Sequence, residues 1–164
     1  METASDRTRS MVADDDLPRR LARSYLRWQL SRGWWIALFV LAAVLVLAAV
    51  VLTVFSRGAT LLLLTGLWLV LIAAIPVSSY LLTLRSARRG YPAGSTIEAR
   101  VGDDSLYLAS ALGTSEVRFA ALRSVDERHD AVIVRLTSAG GAALLMPRAL
   151  FTGDDIARLR AAAG

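Results

Sequence analysis

Two long apolar stretches, residues 34–55 and 59–84, dominate the chain and are separated only by Ser56, Arg57 and Gly58. Neither contains a charged residue. At about 1.5 Å rise per residue, each is long enough as a helix to cross a hydrocarbon core of roughly 30 Å. Lipid offers the backbone no hydrogen-bond partners, so segments this rich in Leu, Val and Ala must satisfy themselves as helices. The pattern therefore predicts a transmembrane helical hairpin over residues 34–84. A soluble protein could bury such a hairpin only with more chain than 164 residues leave to cover it. Pro76 lies inside the second stretch, where it removes a donor and crowds the preceding turn, and it predicts a bend. Ala42 and Ala49, seven residues apart, offer a surface for close helix packing. Thr60, Thr65, Ser78, Ser79 and Thr83 offer local or interhelical hydrogen bonds.

The pattern changes on both sides of the hairpin. Residues 1–16 are rich in Asp, Ser, Thr and Ala and have too few apolar groups to specify a core, so they read as a disordered tail. In residues 17–33, Leu17, Leu21, Tyr25 and Trp28 recur at helical spacing opposite several arginines. That is an amphipathic interfacial helix, and lipid contact is the expected role of its apolar face. After a turn at 90–95 containing Pro92 and Gly94, apolar and polar positions begin to alternate with the period of strands. Strands are expected over 96–101 (Ile97, Ala99, Val101 inward), 105–110 (Leu106, Leu108), 114–119 (Val117, Phe119), 131–137 (Val132, Val134, Leu136) and 142–146 (Leu144, Met146). Residues 120–125 read as either strand or helical turn. Gly102-Asp103-Asp104, Arg128-His129-Asp130 and residues 138–141 are the turns between them. Thr152 with Asp155 three positions later is a capping pattern for a last helix carrying Ile156 and Leu159. The predicted fold class is a membrane α-helical hairpin followed by a small antiparallel β-rich domain, residues 91–164, closed by a C-terminal helix.

Charge adds an orientation. Arg19, Arg20, Arg23, Arg27 and Arg32 precede the first span and Arg85, Arg88 and Arg89 follow the second, whereas the connecting loop holds Arg57 alone. By the positive-inside bias both termini are cytoplasmic, in a multi-pass protein of the inner or plasma membrane. Trp34 and Trp35 suit the cytoplasmic interface of the first span, Phe55 the outer one, and Tyr80 and Tyr91 the return side. The net charge of +5 comes from 19 arginines without a lysine. Because they gather at the membrane ends, anionic headgroups are the expected partner and nucleic acid is not. Arg19-Arg20 superficially resembles a twin-arginine signal, but the apolar stretch behind it is long for a signal segment and leads into a second span.

The segments Ser115-Glu116-Val117-Arg118-Phe119-Ala120-Ala121-Leu122-Arg123-Ser124-Val125, Ala131-Val132-Ile133-Val134-Arg135-Leu136 and Leu144-Leu145-Met146-Pro147-Arg148-Ala149-Leu150-Phe151 carry a resemblance. With two adjacent spans ahead of it, this domain resembles the YcxB-like family of small membrane proteins. The family commonly has tryptophan where Phe119 stands and isoleucine near Met146. The resemblance implies two spans followed by a cytosolic β-rich domain, and it implies no reaction, cofactor or catalytic residue.

Candidate chemistry is sparse. No cysteine is present, which removes disulfides and thiolate chemistry. His129 is the sole histidine and sits in a charged turn. Asp103-Asp104 and Asp154-Asp155 are explained by turn formation and helix capping, and Gly140-Gly141 by a hairpin turn. The spans lack the ionisable group that a proton or ion pathway often needs. Arg148 could meet an anion through its fork of donors, although satisfying carbonyls or a local acid at the strand exit is the favoured role. No catalytic, cofactor-binding or metal-binding residue is expected, and the chain is not read as an enzyme. The expectation is a membrane-anchored interaction or regulatory module with a protein partner or second copy. The alternative is an accessory subunit of a transporter or membrane enzyme assembled through the hairpin.

Overall fold

A computed structural model describes residues 8–31, 33–56, 60–137 and 143–163, without the side chains of 34, 53–56 and 60–62. The elements run β1 (Arg9–Val12), α1 (Leu17–Leu30), α2 (Gly33–Ser56), α3 (Thr60–Gly90), β2 (Thr96–Val101), β3 (Ser105–Ser110), β4 (Gly113–Arg118), β5 (Leu122–Glu127), β6 (Ala131–Leu136), β7 (Ala143–Pro147) and α4 (Gly153–Ala162). Two compact units result. One is residues 26–82, and the other joins residues 83–164 to the N-terminal segment through Tyr25.

The first unit is the helical hairpin. On α2, Trp35, Leu38, Ala42, Val46 and Ala49 are buried or half-buried at offsets of three and four, while the residues between them are exposed. Thr65, Ile72, Pro76 and Ser79 form the corresponding stripe on α3. Alternation of three and four keeps one seam of a helix against one neighbour. The small Ala42 and Ala49 lie in that seam as their spacing predicts. The other described side chains of α2, and those of α3 from Leu63 to Ser78, are exposed, Leu47 by 65% and Val70 by 66%, whereas toward its end α3 half-buries Tyr80, Thr83 and Leu84 and buries Ala87 and Gly90. Both helices are long and apolar enough to cross a membrane. Helix α3 runs through Pro76 without a break in its assignment, and the Ser78 hydroxyl donates to the carbonyl of Ile75 at 2.9 Å. The ring of Trp35 is fully buried by the protein and lies 5.9 Å from that of Phe39, one turn away. The loop arginine, Arg57, and the side chain of Trp34 lie outside the described residues.

The second unit holds two antiparallel sheets, β1-β2-β3-β4 and β5-β6-β7. Alternation in the sequence predicts the inward faces: Ile97, Ala99 and Val101 on β2 and Leu106 and Leu108 on β3 are buried. Strand β6, central in the smaller sheet, is buried on both faces from Ala131 to Val134, so its inward set is wider than the expected Val132 and Val134. Residues 119–125 resolve into both readings, a 3-10 turn over Phe119–Ala121 followed by β5. The turn at 138–141, including Gly140-Gly141, lies outside the described residues. Helix α4 begins with a reciprocal cap. Thr152 Oγ1 accepts from the Asp155 N–H at 3.1 Å, and Asp155 Oδ2 accepts from the Thr152 N–H at 2.8 Å. Ile156 and Leu159 are buried from this helix.

Five expectations are corrected in this unit. Residues 9–12 are a strand rather than part of a disordered tail, with Arg9 opposite Ala99 and Val12 opposite Thr96. The pairing continues into Ala13, which donates to Ser95 O and accepts from Gly94 N, both at 2.9 Å. Gly94 has φ +79°, a turn conformation that a side chain disfavours. The β-rich domain is consequently not residues 91–164 alone, because a strand and a helix from before the hairpin complete it. On α1, Leu17 and Leu21 are buried by the protein itself, so their face is not left for lipid. Phe119 is only half-buried in its turn, whereas Leu150 and Phe151 are buried. A Phe119→Ala change therefore does not remove a fully buried ring. Tyr91, expected near the membrane interface, is buried here and donates its hydroxyl to the Leu145 carbonyl at 2.8 Å. Burial pushes its phenol up to about 12 because the phenolate would be poorly solvated.

Candidate functional site

The sequence singles out two motifs, Arg128-His129-Asp130 and Met146-Pro147-Arg148, and the fold brings them together. Strands β5 and β6 are joined at 128–130, where the Arg128 N–H closes on the Ala131 carbonyl at 2.8 Å. Ala131 pairs with Pro147 across the β6–β7 ladder, so the end of β7 arrives beside that turn. Proline has no N–H to continue the ladder and holds φ at −62°, which sends the chain into the 3-10 turn Arg148–Leu150. The Arg148 N–H then meets the Asp130 carbonyl at 3.1 Å.

The guanidinium of Arg148 is largely committed within the protein. Its Nε donates to Glu127 Oε1 at 2.6 Å and its Nη1 donates to the Phe151 carbonyl. Arg160 from α4 takes the other carboxylate oxygen of Glu127 at 3.0 Å. The hydrogen bond from Arg148, which outweighs desolvation, holds the Glu127 carboxyl below the usual carboxylate range, and the charges of Arg148 and Arg160 add to it. Farther along α4, Arg158 donates to the Gly102 carbonyl at 3.0 Å and reaches Asp103 at 3.3 Å. The last helix is thereby fastened by charge-assisted bonds to β5 and to the turn between β2 and β3. These contacts assign Arg148 the structural role expected at a strand exit.

Beside this cluster lies a shallow cleft lined by Arg20, His129, Asp130 and Arg148, with Met11 and Leu17 on its apolar side. Arg20 reaches it from α1 and pairs there with Asp14 at 2.5 Å. Nothing in the local sequence around Arg20 points to His129, because more than a hundred residues and the whole hairpin separate them. His129 is exposed. Asp154 and Asp155 lie in the first turn of α4, where Asp155 is occupied by the cap. Among the described residues no group of three or more His, Asp or Glu side chains converges to hold a metal ion.

The hairpin carries a second concavity, an apolar groove between α2 and α3 lined by Ala42, Leu45, Leu64, Thr65, Trp68 and Ile72. At the base of the same unit Gln29 Nε2 donates to Ser79 Oγ at 3.4 Å, an interhelical bond of the kind that the serines and threonines of the second span predict. Neither a family model, nor a curated protein, nor a solved structure matches this chain.

Proposed function

We propose that the chain is a two-span membrane protein of the inner or plasma membrane, with both termini in the cytoplasm, that holds its sheet-bearing unit there as an interaction or regulatory module. One observation carries this reading: the two long apolar helices bury a single seam. Only 17% of Trp35–Leu52 is buried, and none of the residues from Leu63 to Ser86 is. A helix in a soluble core covers most of its apolar surface, and an outward surface of Leu, Val, Ile and Phe is stable where the surroundings are apolar. The arginine bias across the spans supports the orientation, and the resemblance to the YcxB-like family supports the same plan of hairpin and cytosolic domain. A second reading, an accessory subunit assembled through its hairpin, is favoured by the groove at Ala42, Thr65 and Trp68, which has the small and aromatic lining of a helix-packing surface.

The test combines topology with capture. Reporters on both termini stay inaccessible to an impermeant probe until the cytoplasmic membrane is opened; labelling of either terminus in intact cells overturns the orientation. Tagged protein at native expression, purified in gentle detergent, is compared with a chain lacking residues 96–164. Partners lost only on truncation support the cytosolic module, and partners kept in both support hairpin assembly. An absence of partners in both removes the two readings together.

A further inference from the structure

The chain has a sharp division of charge that its fold turns into surfaces. No acidic residue occurs between Asp16 and Glu98, whereas nine arginines do. Seven of these lie on α1 or on the last turns of α3. On α1, Arg19, Arg23 and Arg27 recur every four residues and are exposed, opposite the buried Leu17, Leu21, Ser24 and Trp28. On α3, Arg85, Arg88 and Arg89 are exposed at offsets of three and four, with Ala87 buried on the other side. Arg19 is drawn to Asp16 at 3.6 Å. Among the described residues, Arg23, Arg27, Arg85, Arg88 and Arg89 have no acidic partner within ion-pair distance, in contrast to Arg148, Arg158 and Arg160 of the sheet-bearing unit.

An unpaired guanidinium on a helix surface is ordinary when alone. Five in an acid-free segment that continues into apolar helices are a field of one sign, and they have donors to spare. The apolar face of α1 is covered by protein, so α1 has no means of inserting into lipid as an amphipathic helix through Leu17 and Leu21. What it leaves outward is positive. We infer that the Arg23/Arg27 face of α1 and the Arg85/Arg88/Arg89 face of α3 bind the phosphates of anionic phospholipids at the cytoplasmic surface. The attachment is electrostatic rather than insertive. This rests on the membrane reading above and names the lipid class that it takes. The occupant is the lipid headgroup rather than free phosphate, because the arginines flank the apolar spans in sequence and a bilayer presents many phosphates at once.

The test uses the full chain in nanodiscs of phosphatidylcholine alone and of phosphatidylcholine with phosphatidylglycerol. Thermal unfolding and amide exchange of residues 17–30 and 83–90 are read in both. The expected result is a higher Tm and slower exchange in the anionic discs, with the difference shrinking as salt is raised. The variant Arg23→Gln/Arg27→Gln/Arg85→Gln/Arg88→Gln/Arg89→Gln loses that difference yet keeps its stability in neutral discs, because these side chains have no ion pairs to lose. The corresponding Arg→Lys variant retains most of it. Equal behaviour of the wild type in both discs, or a lipid effect that survives in the Gln variant, overturns the inference. A shift reproduced by inorganic phosphate in neutral discs assigns the face to free phosphate and also overturns it. Failure of the chain to incorporate into any disc instead overturns the membrane reading, so the two failures are distinguishable.

Discussion

Glu127 shows how one carboxylate can organise several elements. It accepts from Arg148 at the end of β7 and from Arg160 on α4, so its charge stabilises the junction only while it is ionised. Its folded pKa lies below the ordinary value, and therefore the contribution is present above the unfolded pKa and is lost as pH falls through the folded one. Glu127→Gln is expected to lower Tm at neutral pH, with the gap between variant and wild type closing as the pH is taken below the ordinary carboxylate range. Thermal unfolding from pH 7 to pH 3 checks this, and a gap independent of pH would refute the ionic role. The pairing was not legible from the sequence. Arg148 stood out because of the proline before it, but its acid lies 21 residues away and becomes its neighbour only through the β5–β6–β7 ladder.

At the scale of elements, local signals are most faithful where the interaction closes within a few residues. The Thr152–Asp155 cap is of this kind, since both partners are on the page of the sequence and the bond geometry follows from helix pitch. Asp155→Ala is expected to cost about 1 kcal/mol. Amide exchange across residues 153–162 should quicken; unchanged protection there would show that the cap is energetically idle. Helix α1 teaches the opposite lesson. Its periodicity correctly locates an apolar face, but the period states only which residues share a face. Whether lipid or protein covers Leu17 and Leu21 depends on segments far along the chain, and in this fold protein does.

At the scale of the whole molecule, the sheet-bearing unit is assembled from both sides of the hairpin. Strand β1 covers the edge of β2, and Ala13 extends the contact to the turn after α3. An uncovered edge would present unpaired backbone groups, so β1 has a protective as well as a stabilising role. Removing residues 8–13 is expected to destabilise this unit by about 1–3 kcal/mol, on the order of a few net hydrogen bonds. Exchange should rise along β2 first. Unaltered protection of residues 96–101 would show that β1 is dispensable. Residues 91–164 produced alone should unfold more readily than the same residues in the full chain for the same reason.

The order of segments, the two long apolar helices, the inward faces of β2 and β3 and the cap of α4 were determined by the sequence alone. Each depends on spacing within one segment, and spacing is a property of the chain before it folds. Tertiary structure decided the rest. It recruited four residues, Arg-Ser-Met-Val, into the larger sheet, although so short a polar segment has no strand signal of its own and pairs with residues more than eighty positions away. It buried Tyr91 that composition assigned to an interface, left Phe119 half-covered, and committed Arg148 to Glu127. Those outcomes turn on what lies opposite a side chain in space, and backbone pairing between distant segments supplies that neighbour only after the chain has closed on itself.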